Sequence, residues 1–270
     1  MTAAALDAAG GGDVAPHGAV PALQVRDLRI EFGGVHAVAG ASFAAPAGQI
    51  TGLIGPNGAG KSTAMKLIAG SLRPTSGEIL YHGENIAGEP AWRVARRGLI
   101  RTFQLSSEFA HLTVIENLLV AAPGQRASTL GGALRGKRYW RGQQAELVQR
   151  ARQMLREFDL LAKADEYAGT LSGGQKRLLE MARALMAEPK MLLLDEPLAG
   201  VNPTLRLTVE DHLRRLRDQG LTMVMVEHEL GAIERCCDSV IVMAQGRVLA
   251  TGTMEEMRAN EEVVDAYLVG

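Results

Sequence analysis

The chain has 270 residues with 29 basic and 30 acidic side chains, a net charge of −1, so it carries no global basic field for nucleic acid. An aromatic share of 4% leaves few surfaces for stacking bases, and no nucleic-acid partner is expected. Its longest apolar runs, such as Met191 to Leu194 and Leu221 to Val226, have the length of buried strands and fall far short of the roughly 20 residues of a membrane-spanning helix.

Residues 1–21 (MTAAALDAAGGGDVAPHGAVP) are rich in Ala and Gly and lack a basic start followed by an apolar block, which predicts a flexible tail and no secretory signal. Leu23 to Phe32 (LQVRDLRIEF) alternates apolar and polar residues, the pattern of a half-buried strand. His36 to Ala44 and Gln49 to Ile54 read as further strands. The last runs directly into Gly55-Pro56-Asn57-Gly58-Ala59-Gly60-Lys61-Ser62-Thr63, and Lys61 to Ala69 reads as a helix.

This stretch fits the phosphate-loop pattern G-x-x-x-x-G-K-[ST] in full, in the strand–loop–helix setting the motif requires. Glycines let successive backbone N–H groups curl around phosphates, and the helix N-terminus adds positive potential. Lys61 is then suited to the β- and γ-phosphates and the Ser62 hydroxyl to Mg²⁺. The alternative is a glycine-rich turn with an incidental lysine, which leaves the complete match in that setting unexplained.

Gly77 to Tyr81 and Leu99 to Phe103 predict short strands, the second ending at Gln104. From about Leu105 to Tyr167 the periodicity is helical, broken near Pro123 and Gly131-Gly132. Helices over 172–187, 203–218 and 229–235 then alternate with strands over 191–195, 221–226 and 239–243, and Thr253 to Leu268 reads as two short helices. Such alternation predicts a mostly parallel sheet covered on both faces. Cys236 and Cys237 are the only cysteines and adjacent, a geometry poorly suited to bridging each other, so a reducing compartment is expected.

Three later segments carry chemistry. In Leu171-Ser172-Gly173-Gly174-Gln175, Ser172 reads as a helix N-cap, and a helix N-terminus fronted by glycines is an anion site. A simple capped helix explains Ser172 but not two glycines at positions costly for a helix. Met191 to Asp195 is an apolar run ending in an acid, as expected of a buried parallel strand presenting Asp195 at its C-terminal edge, with Glu196 next. His228 follows another such strand; His17, His36, His82, His111 and His212 show no metal-ligand spacing.

The phosphate loop, Gln104 in RTFQ, LSGGQ, MLLLDEP and His228 in VEHEL stand in an order that resembles the ATPase domain of ATP-binding cassette (ABC) transporters, from about Leu23 onward. The resemblance implies an α/β fold: a RecA-like phosphate-loop ATPase core with an N-terminal antiparallel β portion and an inserted α-helical subdomain. The corresponding organisation is a tail at 1–21, an ATPase domain at 22–255 with its helical subdomain at about 105–167, and a helical extension at 256–270. It also implies ATP and Mg²⁺ as ligands. Asp195 is then a carboxylate for the metal, Glu196 the group that polarises the attacking water, and Gln104 a contact of both metal and water. His228 would meet the γ-phosphate, and Phe32 would stack on adenine, although a strand-end core phenylalanine competes with that reading. Ser172, Gly173, Gly174 and Gln175 would reach the γ-phosphate held by an opposite subunit, so the working unit is a head-to-tail dimer. Asn202 stands where many members carry Asp in the loop that crosses the dimer interface.

LAGVNP after Glu196, RTFQ with LTVIENLLVA, the insertion around Gly124 to Arg141 and the terminal EEVVDAYLVG are similar to ATPase subunits of the Liv-type branched-chain amino-acid importers. That kinship implies a second, sister ATPase, two membrane permease subunits and, indirectly, a periplasmic binding protein, with the chain peripheral on the cytoplasmic face of the inner membrane. Importers for urea, amides or other amino acids, and lipopolysaccharide-export ATPases, share much of the pattern. A soluble cassette acting on ribosomes or DNA is a more distant alternative, since this chain has neither tandem cassettes nor a long coiled-coil insertion. The stretch from Gln104 to Asn117, with Glu108, is the expected permease contact. Arg135, Lys137, Arg138 and Arg141, beside Tyr139 and Trp140, read as a solvated helix face or as a contact with lipid headgroups.

Overall fold

The computed structural model describes residues 21–102, 109–124 and 137–269. Two sheets organise them. The first is antiparallel and four-stranded, in the order β2 (Val35–Ala45), β1 (Leu23–Phe32), β4 (Ser76–Tyr81), β5 (Glu84–Asn85). The second has six strands in the order β10 (Arg247–Gly252), β9 (Ser239–Ala244), β3 (Ile50–Ile54), β8 (Thr222–Val226), β7 (Met191–Asp195), β6 (Leu99–Arg101). All pairings in it are parallel except that of the edge strand β10.

The parallel strands are mostly apolar because both of their faces are largely buried. Side chains alternate between two cores. Ile50, Ile54, Leu192, Leu194, Met223 and Met225 point into one, against helices that include α5 (Gly173–Met186). Leu53, Met191, Leu193, Val224 and Val226 point into the other, which is shared with the antiparallel sheet and α1 (Lys61–Ile68). Between the sheets' strands run α2 (Ala91–Arg96), α3 (Val114–Ala121), α4 (Lys137–Glu157), α6 (Pro203–Asp218) and α7 (Leu230–Cys236), and the chain continues into α8 (Met254–Ala259) and α9 (Glu261–Val269).

The helical stretch after β6 is pinned from within. Thr113 caps α3 through a capping box with Glu116. Asn117 is fully buried, and its amide bonds the backbone of Phe109, Leu112 and Thr113. Asn117 therefore holds its own loop rather than facing a partner. Sequence pattern missed α2, β5 and β10: two are very short, and β10 is an edge strand whose alternation, RVLATG, is weak. Gln104 and Glu108 lie outside the described residues, as do Arg135 and the side chains of Lys137, Arg138, Tyr139, Trp140 and Arg141.

Candidate active site

Parallel strands deliver their C-terminal ends to one edge of a sheet, and there the chemistry gathers. β3 ends at Ile54, and Gly55 opens the loop with φ 144°. A Cβ at Gly55 would collide with the Met243 carbonyl oxygen, and one at Gly60 with that of Ala37, so both glycines are required by close backbone approach. The loop is braced by Gly246 N–H donating to the Ala59 carbonyl at 3.1 Å. Lys61 is buried, and its ammonium lies back across the loop, donating to the carbonyls of Gly55 at 2.6 Å and Pro56 at 2.9 Å. Burial pulls the Lys61 pKa below its ordinary value, and the nearby charges of Glu196 and Asp195 oppose that shift.

A cavity of about 440 Å³ opens above this loop. Asn57, Gly58, Lys61, Ser62, Glu196 and His228 line it, with further loop residues and Val35 to Ala37 of β2. Phe32 is half exposed at the end of β1, paired across the hairpin with Val35, and does not itself line the cavity.

Asp195 is completely buried at the end of β7. Its Oδ2 accepts from Arg101 Nη2 at 2.6 Å, while Oδ1 is buried without a partner among the described residues. Glu196 follows in the left-handed region, φ 51°, a costly conformation for a side chain of this size. Its N–H donates to the Val226 carbonyl at 2.9 Å, and its Oε1 lies 3.0 Å from His228 Nε2. With Glu196 ionised, Nε2 carries the hydrogen of that bond.

LSGGQ lies elsewhere. Ser172 caps α5, its Oγ accepting from Gln175 N–H while its own N–H donates to the Gln175 side chain. Ser172 and Gly173 are exposed, and none of residues 171–175 lines the cavity.

Residues 38–199 match the family model described as "ABC transporter". The chain belongs to the ABC transporter family. A second model, "Branched-chain amino acid ATP-binding cassette transporter", matches 247–268. The "High-affinity branched-chain amino acid transport ATP-binding protein BraF" of Pseudomonas aeruginosa is 38% identical over 249 residues, 92% of this chain and 98% of that protein. The equally named LivG of Escherichia coli gives the same identity and coverage, and a probable LivG of Archaeoglobus fulgidus is 36% identical over 91% of this chain and 95% of its own. Among solved structures, a nucleotide-free ATP-binding cassette from an ABC transporter superposes with TM-score 0.79 at 33% identity, covering 92% of this chain and 99% of that one. A structure of the ADP conformation of an ATP-binding cassette gives the same TM-score and identity. The α/β fold is thus that of an ABC ATPase, and this cassette is an ATP-binding, ATP-hydrolysing domain.

Three further side chains belong to the site although no motif named them. Arg101 holds Asp195 from the neighbouring strand, Arg177 on α5 donates to the Glu196 carbonyl at 2.8 Å, and Glu227 accepts from Leu198 N–H at 2.8 Å. Each lies within or beside a recognised segment, yet its partner is set by strand adjacency. Asn202 turns out to cap α6, its Oδ1 accepting from Leu205 N–H at 2.9 Å ahead of Pro203 at the first helical position.

Proposed function

We propose that this cassette hydrolyses ATP in the cavity above the phosphate loop and so energises import of branched-chain amino acids. The observation that carries the chemistry is the convergence of Lys61, Ser62, Glu196 and His228 on one cavity. In this reading the backbone from Gly55 to Thr63 cradles the phosphates and Lys61 exchanges its two carbonyl partners for phosphate oxygens. Phe32 closes the adenine side. Glu196 accepts a hydrogen bond from the attacking water, oriented by its own bond to His228, which also faces the γ-phosphate.

The residues present suit Mg²⁺. Asp195 Oδ1 is a buried carboxylate oxygen without a partner among the described residues, and Ser62 lines the cavity. Among the described residues no group of three His, Cys, Asp or Glu forms a self-contained metal site, which suits an ion that takes few carboxylates and completes its shell with water and phosphate. Asp195, Ser62 and Gln104 would hold it. The ion would neutralise charge on the phosphates.

Because Ser172 and Gly173 are exposed and none of residues 172–175 lines the cavity, we assign this segment to the nucleotide of a second ATPase subunit in a head-to-tail pair. The relatives are named as ATP-binding proteins of branched-chain amino acid transport, which supports a role in a membrane transporter; we propose two permeases, a periplasmic binding protein reached through them, and a peripheral place at the cytoplasmic membrane face. The terminal match at 247–268 supports the amino-acid branch. We keep the ATPase domain at 22–255 with its helical subdomain at about 105–167, and treat 256–270 as an extension, noting that α8 runs across that last boundary.

Affinity purification of tagged Glu196→Gln chain from detergent-solubilised native membranes with ATP tests the assignment. Recovery of two dissimilar permeases and a sister ATPase is expected, with an amino-acid-binding protein encoded beside them. Recovery only in soluble form, with ribosomes or DNA, would overturn the transport reading and leave the ATPase chemistry intact.

A further inference from the structure

Glu196 occupies a backbone conformation that needs outside support, and the structure shows where the support comes from. The left-handed turn, φ 51°, is tied at the residue's own N–H to the Val226 carbonyl and at its carbonyl to Arg177 Nη2, 2.8 Å away. Arg177 is buried and held by a second buried group, Glu180, one turn along the same helix at 2.7 Å. A planar guanidinium fixed by a carboxylate on one nitrogen presents its other nitrogen in a set direction, which a flexible ammonium does not do. Arg177 lies two residues beyond Gln175, in the helix that Ser172 caps and that Gly173 to Gln175 open. One side chain therefore joins the segment assigned to a partner's nucleotide to the carboxylate that faces this chain's own cavity.

We propose that Arg177 is a positioning residue for hydrolysis: from the signature helix it locks the Glu196 turn, so that the aim of the Glu196 carboxylate depends on how that helix is seated. This rests on the ATPase reading above. Arg177 touches neither water nor nucleotide in this account; it acts through the Glu196 main chain. In a head-to-tail pair, engagement of LSGGQ by the partner's nucleotide would be felt at this chain's own Glu196 through the Arg177 guanidinium.

The direct test removes the buried pair as a unit, Arg177→Met with Glu180→Met, because replacing both charges avoids leaving one unpaired in the interior. The purified full chain is assayed for ATP hydrolysis beside wild type. The double variant is expected to lose about 10- to 100-fold in kcat, the scale of a slightly misplaced reacting group, with KM for ATP within about threefold. Arg177→Lys, which keeps a donor but not the fork, should fall between the two. In a Glu196→Gln background the double variant should still form an ATP-dependent dimer, showing that helix seating and nucleotide binding survive. Wild-type kcat in the double variant would overturn the inference alone, as would parallel loss of kcat, ATP affinity and dimerisation, the signature of a merely structural pair. A wild-type chain unable to hydrolyse ATP would instead remove the ATPase reading, and this inference with it.

Discussion

The phosphate-loop corner and the LSGGQ corner are both helix N-termini fronted by glycines, yet the fold treats them oppositely. The first is built into the fold: Lys61 is buried, the loop is braced by Gly246 in the turn between β9 and β10, and Glu196 and His228 line the same cavity. The second has Ser172 and Gly173 exposed and carries its own capping box, and none of its residues lines the cavity. In the proposed head-to-tail reading, each corner supplies one half of a nucleotide site. A domain that completed both would have no reason to meet a second copy.

The comparison breaks most visibly at Glu196. Glu196→Gln should lower kcat by roughly 10²- to 10⁴-fold, the range of a general base, while ATP binding persists and an ATP-bound dimer accumulates on size-exclusion chromatography. Wild-type turnover would remove Glu196 from its role. At the phosphate-loop corner, Lys61→Ala should weaken ATP binding by about 10- to 100-fold, as expected for a lost charge-assisted contact of about 1.5–3 kcal/mol, measured by titration calorimetry. Unchanged affinity would dissolve the phosphate-loop assignment. At the LSGGQ corner the outcome should invert. Ser172→Arg should leave the monomer's ATP affinity within about twofold, since no residue of 171–175 lines the cavity, but abolish the ATP-dependent dimer. Loss of monomer affinity would mean the two corners are not separate.

Smaller effects sharpen the framework between the corners. Asn202→Asp should change stability by a few tenths of a kcal/mol, whereas Asn202→Ala should cost about 1 kcal/mol by thermal unfolding, because Asn and Asp cap equally well. The departure from the family's usual Asp thus has a local account. Glu227 supplies a pH signature. Burial raises its pKa above 4.5, against the opposing bonds from the Leu198 and His228 backbone. The folded state then holds its proton more tightly than the unfolded one, so stability falls as pH rises from about 4.5 through the folded pKa. Glu227→Gln should flatten that part of the stability–pH curve and keep the Leu198 bond; an unchanged slope would show that the group does not titrate there.

Much of this was legible beforehand. The five parallel strands were legible because a strand buried on both faces is apolar at most positions, as Met191 to Leu194 and Met223 to Val226 are. Phosphate binding was legible at Gly55 to Thr63 because backbone donors demand glycines at fixed spacing, a constraint written in consecutive residues. Strand β10 was not, since an edge strand with one face exposed needs no strict pattern. The basic insertion and Gln104 lie outside the described residues.

The sequence by itself determined the order of its chemical segments, the α/β class and the local cap at Ser172, which depends on neighbours within a few residues. Only the tertiary structure decided that Arg101 faces Asp195 from 94 residues away, that His228 meets Glu196 across 32, and that Arg177 reaches back to the Glu196 carbonyl. The reason is physical. A backbone loop encodes its ligand through its own conformation, whereas a pair of side chains on separate elements acquires a partner only when strand order and helix packing bring the two together.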